Sequence, residues 1–248
     1  MSMSKSNISL IDKDNVDHKK YLELTAEKLL EAFGNGIHIP GSGSAAAFSG
    51  LMAIELLRTV LKLSMGKRNY AQYKEQFQLL SERLTNESIP KFTELFNKDI
   101  QVFHGVSYHR RLRDKAKNDG KIENYNKQVK LANKKLKQAT DLPLDLCESS
   151  LNLMQTAFII FDNGFKGARG DSGVAISNLL SSAQGALFIV FLNLGTFRKS
   201  KWKDQRMART VDLATRFTKL QKEAYSRVVT LYNENTNSRQ LTLDFYKE

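Results

Sequence analysis

Three stretches of this 248-residue chain place side chains where they could do chemistry. Pro40-Gly41-Ser42-Gly43-Ser44 runs directly into Ala45-Ala46-Ala47 and a long apolar segment. Free backbone N–H groups at such a helix start, with the helix dipole behind them, form a site for a carboxylate, a phosphate or a polar ring. The glycines admit a ligand close to the backbone and the serines add hydroxyls, although the same residue types also serve as ordinary caps. Gly170-Asp171-Ser172-Gly173 is a second glycine-flanked start, with Asp171 placed to N-cap an apolar helix over 173–194. Asp99 is the third. It falls among Phe92, Leu95, Phe96, Val102 and Phe103 at helical spacing, with His104 and Tyr108 one or two turns further on. An acid inside an apolar face costs free energy unless it is paired, hydrated or functional, so Asp99 is either a partnered structural aspartate or a reacting group.

Other chemistries lack their residues. The histidines at 18, 38, 104 and 109 form no HxxxH or HExxH spacing, and Cys147 is the single cysteine, so no metal site is expected. There is no GxxxxGK[ST], no GxGxxG after a strand and no GxSxG elbow.

The elements that must position these residues read as helices. The first is expected over 17–33, with Leu22, Ala26, Leu29, Leu30 and Phe33 on one face and Gly34-Asn35-Gly36 as a left-handed stop. Small residues and then apolar ones on most sides give a centrally buried helix, opened by Gly41 to Ala47 and running to about Ser64. An amphipathic stretch from Tyr70 is expected to kink or break at Pro90. The basic segment that follows should break at Asn118-Asp119-Gly120, and Pro143 should start a helix to Asp162. A last helix, about 204–232, shows Met207, Val211, Ala214, Phe217, Leu220, Ala224, Val228 and Leu231 as one seam, with a weak strand tendency at 241–246. No strand pattern competes in the body of the chain, which predicts an all-α, single-domain bundle of about seven to nine helices over 17–232, with polar tails at 1–16 and 233–248.

Cys147 has no partner for an intramolecular disulfide, and the polar first 15 residues contain no apolar signal core, so a cytoplasmic protein is expected. The most apolar windows, 157–161 and 186–194, fall short of the roughly 20 residues a membrane span needs. The net charge of +12 is unevenly placed. Eleven Lys/Arg stand against three acids between Arg110 and Lys137, and six stand against Asp204 alone between Arg198 and Arg209. Such patches attract polyanions: nucleic acid, an acidic small molecule or an acidic protein face. A solvated helix face is the plainer reading of the same residues.

Taken in order, the motifs resemble the cyclodeaminase/cyclohydrolase family, which includes the cyclodeaminase half of formiminotransferase-cyclodeaminase and bacterial methenyltetrahydrofolate cyclohydrolases. Pro40 to Ala47 resembles the family's PGGGS-A-A-A loop, with Ser42 in place of a glycine. Asp99-Ile-Gln-Val-Phe103 resembles its D-x-x-x-[FY] element, and Leu142-Pro143-Leu144 its V/L-P-L segment. Gly164 to Ala175 keeps the length of GN-x-N-x-x-SD-x-GVA, with Gly164, Asp171, Gly173, Val174 and Ala175 in place. Gly185-Ala186 and Val190 to Leu194 resemble its G-A…N-V-x-I-N-L helix. Phe165, Gly167, Gly170 and Ile189 depart from the family pattern, and the lysine-heavy 110–137 segment replaces an arginine/proline-rich stretch.

The resemblance implies an enzyme of one-carbon folate chemistry, a cyclodeaminase (lyase) or cyclohydrolase (hydrolase), with a tetrahydrofolate derivative as substrate and no cofactor required. Asp99 would be the general acid/base. Pro40, Gly41, Ser42, Gly43 and Ser44 would hold the pterin, with Asp171 and Gly173 facing it, and His104, Arg169 and Asn193 are further candidates. A homodimer with the site near the subunit interface is implied, and the basic patches would attract the glutamate tail. Two alternatives stay open. One is a non-catalytic family member that binds nucleic acid or an acidic partner through Arg110–Lys137; the other is an enzyme acting on a different substrate. No membrane association is expected.

Overall fold

With three prolines in the chain, little stops helices from propagating. The structure, a computed structural model, describes residues 21–245, with side chains described through 236. Seven α-helices are formed among the described residues: α1 (Ala26–Gly34), α2 (Ser42–Met65), α3 (Lys74–Arg83), α4 (Ile89–Asn118), α5 (Ile122–Asn163), α6 (Arg169–Gly195) and α7 (Lys201–Phe245). No strand occurs among them, which bears out the all-α expectation. The first helix is shorter than expected, because Thr25 caps it by accepting a hydrogen bond from the Lys28 N–H. Residues 17–20 of that expectation lie outside the described residues. Gly36 and Gly120 sit at φ of +77° and +69°, where a Cβ would be strained, and they turn the chain after α1 and between α4 and α5 as anticipated.

Pro90, expected to kink or break a helix, and Pro143, expected to start one, are both accommodated within helical stretches. Before Pro90 the chain widens into a π-helical turn, Leu84–Ser88, in which the Ile89 N–H reaches the Leu84 carbonyl. Pro90 then falls in the first turn of α4, where its missing donor matters least. Pro143 lies buried inside α5 rather than at a helix start. Its absent N–H would have bonded the carbonyl of Ala139, four residues back, and the side-chain amide of Asn193 on α6 donates to that carbonyl instead, at 3.0 Å. The helix therefore runs on through the proline.

α2 and α6 form the central pair, packed antiparallel. Gly185 lies against Ala46 and Gly50 against Ser182 near one end, and Gly164 lies against Val60 and Ser64 at the other. Of the apolar windows that looked short in the sequence, 157–161 lies in α5, a helix of 42 residues, and 186–194 in α6, one of 27. By length and composition α2 and the stretch Lys166–Gly195 are long and apolar enough to cross a membrane; here 50% and 44% of their most apolar windows is buried inside the protein. Phe92, Phe96 and Ile100 of α4 and Leu144, Leu151 and Met154 of α5 complete the core. Burial pushes the Cys147 thiol up to about 12, well above the range in which thiolates form at neutral pH.

α7 runs parallel to α5 and buries Thr210, Leu213, Phe217, Leu220 and Ala224. That line corrects the expected seam: Val211 and Val228 are more than half exposed. Leu213 and Thr210 also recur at steps of three and four, and a shift of one residue rotates the buried stripe by about 100°. The helix continues to Phe245 where a polar tail and a weak strand were expected; residue 246 of that strand lies outside the described residues. Arg206 pairs with Asp141 at 2.9 Å, Arg209 with Asp145 at 3.0 Å and with Glu148, and Arg227 with Asp162 at 2.6 Å. Each partly exposed pair contributes about 0–1 kcal/mol, so the row serves alignment more than stability.

Candidate functional site

A cavity of about 580 Å³ opens where the start of α2 meets the C-terminal end of α6. Its walls come from the loop after α1, from the start of α2, from Asp99 and Phe103 on α4, from Ala139 on α5, and from Ile189, Leu192 and Asn193 on α6. The floor is the meeting of two sequence motifs. Ser44 is fully buried, and both its N–H (2.9 Å) and its hydroxyl (2.8 Å) donate to Oδ2 of Asp99. Oδ1 lies against Gly43, where a Cβ would overlap the carboxylate. Gly43 is thus a glycine because Asp99 takes the space a side chain would fill.

Burial pushes the Asp99 carboxyl above the usual carboxylate range, against the two Ser44 hydrogen bonds, which favour its charged form. Among the four N–H groups of the first α2 turn, that of Ala45 bonds the Gly41 carbonyl and that of Ser44 bonds Asp99. Those of Ser42 and Gly43 have no intrahelical acceptor, and both residues line the cavity. The site therefore offers a carboxyl that can hold or release a proton beside backbone donors at a helix N-terminus. Four walls are apolar, from Phe33, Ile37, Phe103 and Leu192, the setting in which a flat ring is held and its polar edge read by a few donors.

Of the expected site residues, Pro40, Gly41, Ser42, Gly43, Asp99 and Asn193 line this cavity. Ser44 stands behind the wall and serves Asp99 rather than facing the cavity, while Asn193 supports the Ala139 carbonyl. Asp171, Gly173, His104 and Arg169 do not line it. Asp171 is not an N-cap either. α6 begins at Arg169, its N-cap is Ala168, and Asp171 sits inside the first turn. From there to Ile189 at the cavity is eighteen residues of helix, about 27 Å at 1.5 Å per residue. Arg169 pairs with Glu234 at 2.6 Å near that same far end.

His38 is a titratable cavity residue that sequence spacing did not single out. Its ring lies 6.0 Å from that of Phe103, edge to face. Its place two residues before Pro40 was the available signal. Among the described residues no cluster of His, Cys, Asp or Glu could hold a metal ion.

The chain matches the family model of formiminotransferase-cyclodeaminase over residues 25–212. It is 25% identical over 215 residues to the methenyltetrahydrofolate cyclohydrolase of Methylorubrum extorquens, covering 84% of this chain and 98% of that protein. Its fold is similar to that of formiminotetrahydrofolate cyclodeaminase from Thermotoga maritima, with a TM-score of 0.71 at 16% identity over 85% of this chain and 98% of the other.

Proposed function

We propose, from the premise that this chain belongs to the formiminotransferase-cyclodeaminase family, that it is an enzyme of one-carbon folate chemistry whose reacting proton is handled by Asp99. The single observation that carries this reading is the Asp99 carboxyl itself, pushed up by burial and fixed through one oxygen by Ser44 at the floor of the 580 Å³ cavity. The names of the two relatives give the substrate class, a one-carbon-substituted tetrahydrofolate.

In the cyclohydrolase direction, water adds to the methenyl carbon and must lose a proton; ionised Asp99 accepts it. In the cyclodeaminase reaction, the folate atom N10 bonds to the formimino carbon and its proton passes to the formimino nitrogen, which needs one more proton to leave as ammonia; protonated Asp99 supplies it. Burial raises the carboxyl's pKa, which favours its acid role, and the two Ser44 hydrogen bonds favour the charged form that acts as base. The free N–H groups of Ser42 and Gly43 hold the polar edge of the pterin, and Phe33, Ile37 and Phe103 give its flat face an apolar wall. The exposed Arg198 and Lys199, which follow the cavity residue Asn193 in the chain, attract the glutamate carboxylates.

The working form is a homodimer joined through α6. That helix leaves Val174, Phe188, Phe191 and Leu192 between 45% and 73% exposed, with a shallow hollow at Ser177, Ser181 and Gly185 between them. A second copy packed antiparallel about this hollow buries the strip and sets the Asp171 end of one copy beside the cavity of the other. The test is calorimetric titration with 5-formyl-tetrahydrofolate, followed by turnover assays of both reactions. Micromolar binding, with turnover lost in Asp99→Asn, is the expected result. A folded protein that takes up no folate overturns the reading.

A further inference from the structure

We infer that the far half of the α4–α5 hairpin is a nucleic-acid-binding arm that grips the phosphate backbone without reading bases. Beyond the core, the end of α4 and the start of α5 pair with little apolar burial: Ala116, Ala132 and Leu136, with a hydrogen bond of 2.9 Å between His109 Nδ1 and Gln128 Oε1 tying the two helices. Of its three acids, Asp114 is held by Arg113 at 2.7 Å and Asp119 by Lys121 at 3.4 Å. Arg111, Lys115, Lys117, Lys127, Lys130 and Lys134 are all exposed, and none of them has an acidic side chain in ion-pair reach among the described residues. Phe197 packs on Val106, Leu136 and Ala139 at the base of the arm, which brings the exposed Arg198, Lys199 and Lys201 onto the same side of the molecule. Two basic stretches some sixty residues apart in the chain become one surface.

The geometry selects the partner. Lys117 is fourteen residues past Phe103 at the cavity, about 21 Å along α4, so the tip cations lie out of reach of a small molecule seated there. Beyond the cavity region, Ile122 is the arm's large exposed hydrophobic side chain, and Tyr108 near its base is 39% exposed. A protein partner would lack an apolar anchor, and a bilayer would lack an apolar face to take up. A phosphate backbone needs neither; rows of solvated cations suffice.

The experiment is fluorescence anisotropy with a short labelled DNA duplex and an RNA of the same length, titrated with full-length protein. If about four phosphates are engaged, affinity should fall on the order of 100-fold between about 50 and 200 mM salt. Reversing Lys115, Lys117, Lys127 and Lys130 to Glu should abolish binding at the low-salt end, with helicity checked by circular dichroism. Should that variant misfold, the single reversal Lys127→Glu must still flatten the salt slope by about one contact. Arg206→Gln with Arg209→Gln removes two charges from the α5–α7 row and should leave affinity within about twofold. Binding that ignores salt, that falls equally in the arginine variant, or that is matched by phosphatidylserine vesicles or polyglutamate overturns the proposal. Folate binding is measured separately on the same samples, so failure of the folate reading leaves this outcome legible.

Discussion

The two glycine-flanked helix starts sit at opposite ends of the same antiparallel pair, and they differ in what is already bonded. At the start of α2, the N–H groups of Ser42 and Gly43 face a cavity, and a carboxyl with a raised pKa lies beside them. Ahead of α6, the N–H of Phe165 donates to the Ser64 hydroxyl at 2.8 Å and that of Lys166 to the Tyr70 hydroxyl at 3.1 Å. Tyr70 meets the Phe165 ring edge-on, and Lys67 sits 4.2 Å above it. Phe165 stands where the family pattern has an asparagine, and here it closes its own loop. Similar sequence grammar gives one helix start that opens on a cavity and one whose preceding loop is closed by its own hydrogen bonds.

The strongest attempt to break that contrast is Asp99→Asn. Turnover should fall about 10²–10⁴-fold, the range for loss of a general acid/base, with folate affinity retained. The same variant tests the titration. A carboxyl whose folded pKa is raised favours the protonated folded state, so stability falls as pH rises from the unfolded value through the raised one, then levels. Chemical denaturation across that window should show the decline in the parent and not in Asp99→Asn. Gly43→Ala comes next. Its Cβ would push the carboxylate aside, and a displacement near 1 Å costs about 100-fold in kcat; a variant with parental kcat would show that the carboxylate's seat is not what matters.

Phe165→Ala probes the filled end. It should cost about 2 kcal/mol in urea unfolding, below the 3–5 typical of a fully buried Phe because this ring is partly exposed, and leave kcat unchanged. Loss of turnover at parental stability would make the far end an active site in its own right. The smallest effect belongs to Asp171→Ala. Its place in the first turn of α6 is worth about 0.3–1 kcal/mol to the fold. If the homodimer sets this end beside a neighbouring cavity, folate affinity also drops about two- to tenfold, one hydrogen bond's worth, and sedimentation shows a dimer. Unchanged affinity reduces Asp171 to a helix-start acid.

Local signals were readable in the sequence where a residue's consequence is local. The turn at Gly120 follows from backbone conformation, the helical class from periodicity, and the oddity of Asp99 from an acid in an apolar row. What was hidden depends on contacts across the chain. Pro143 looks like a helix start until Asn193, fifty residues on, supplies the acceptor's missing partner. Ser44 looks like a ligand contact until Asp99, 55 residues away, takes both its donors. The α7 stripe had two admissible phases, and packing against α5 and α6 chose the one through Leu213. The distance between the two motif loops follows only from α6 being a single unbroken helix. Charge was misjudged for a related reason: Arg206 and Arg209 counted toward a basic patch, yet both are neutralised by acids on α5.

The bond from Asn193 to the Ala139 carbonyl has an evolutionary reading. While residue 143 is proline, the amide at 193 cannot drift without orphaning a buried carbonyl; once residue 143 regains an N–H, that amide becomes superfluous and is freed at the cavity wall. Pro143→Ala or Asn193→Leu alone would therefore be judged differently in each other's presence, a coupled pair joining a proline inside α5 to the lining of the site. Lineages of this fold should lose or keep the two residues together, and those that lose the proline first gain, without further change, an uncommitted amide with which to try a new ligand.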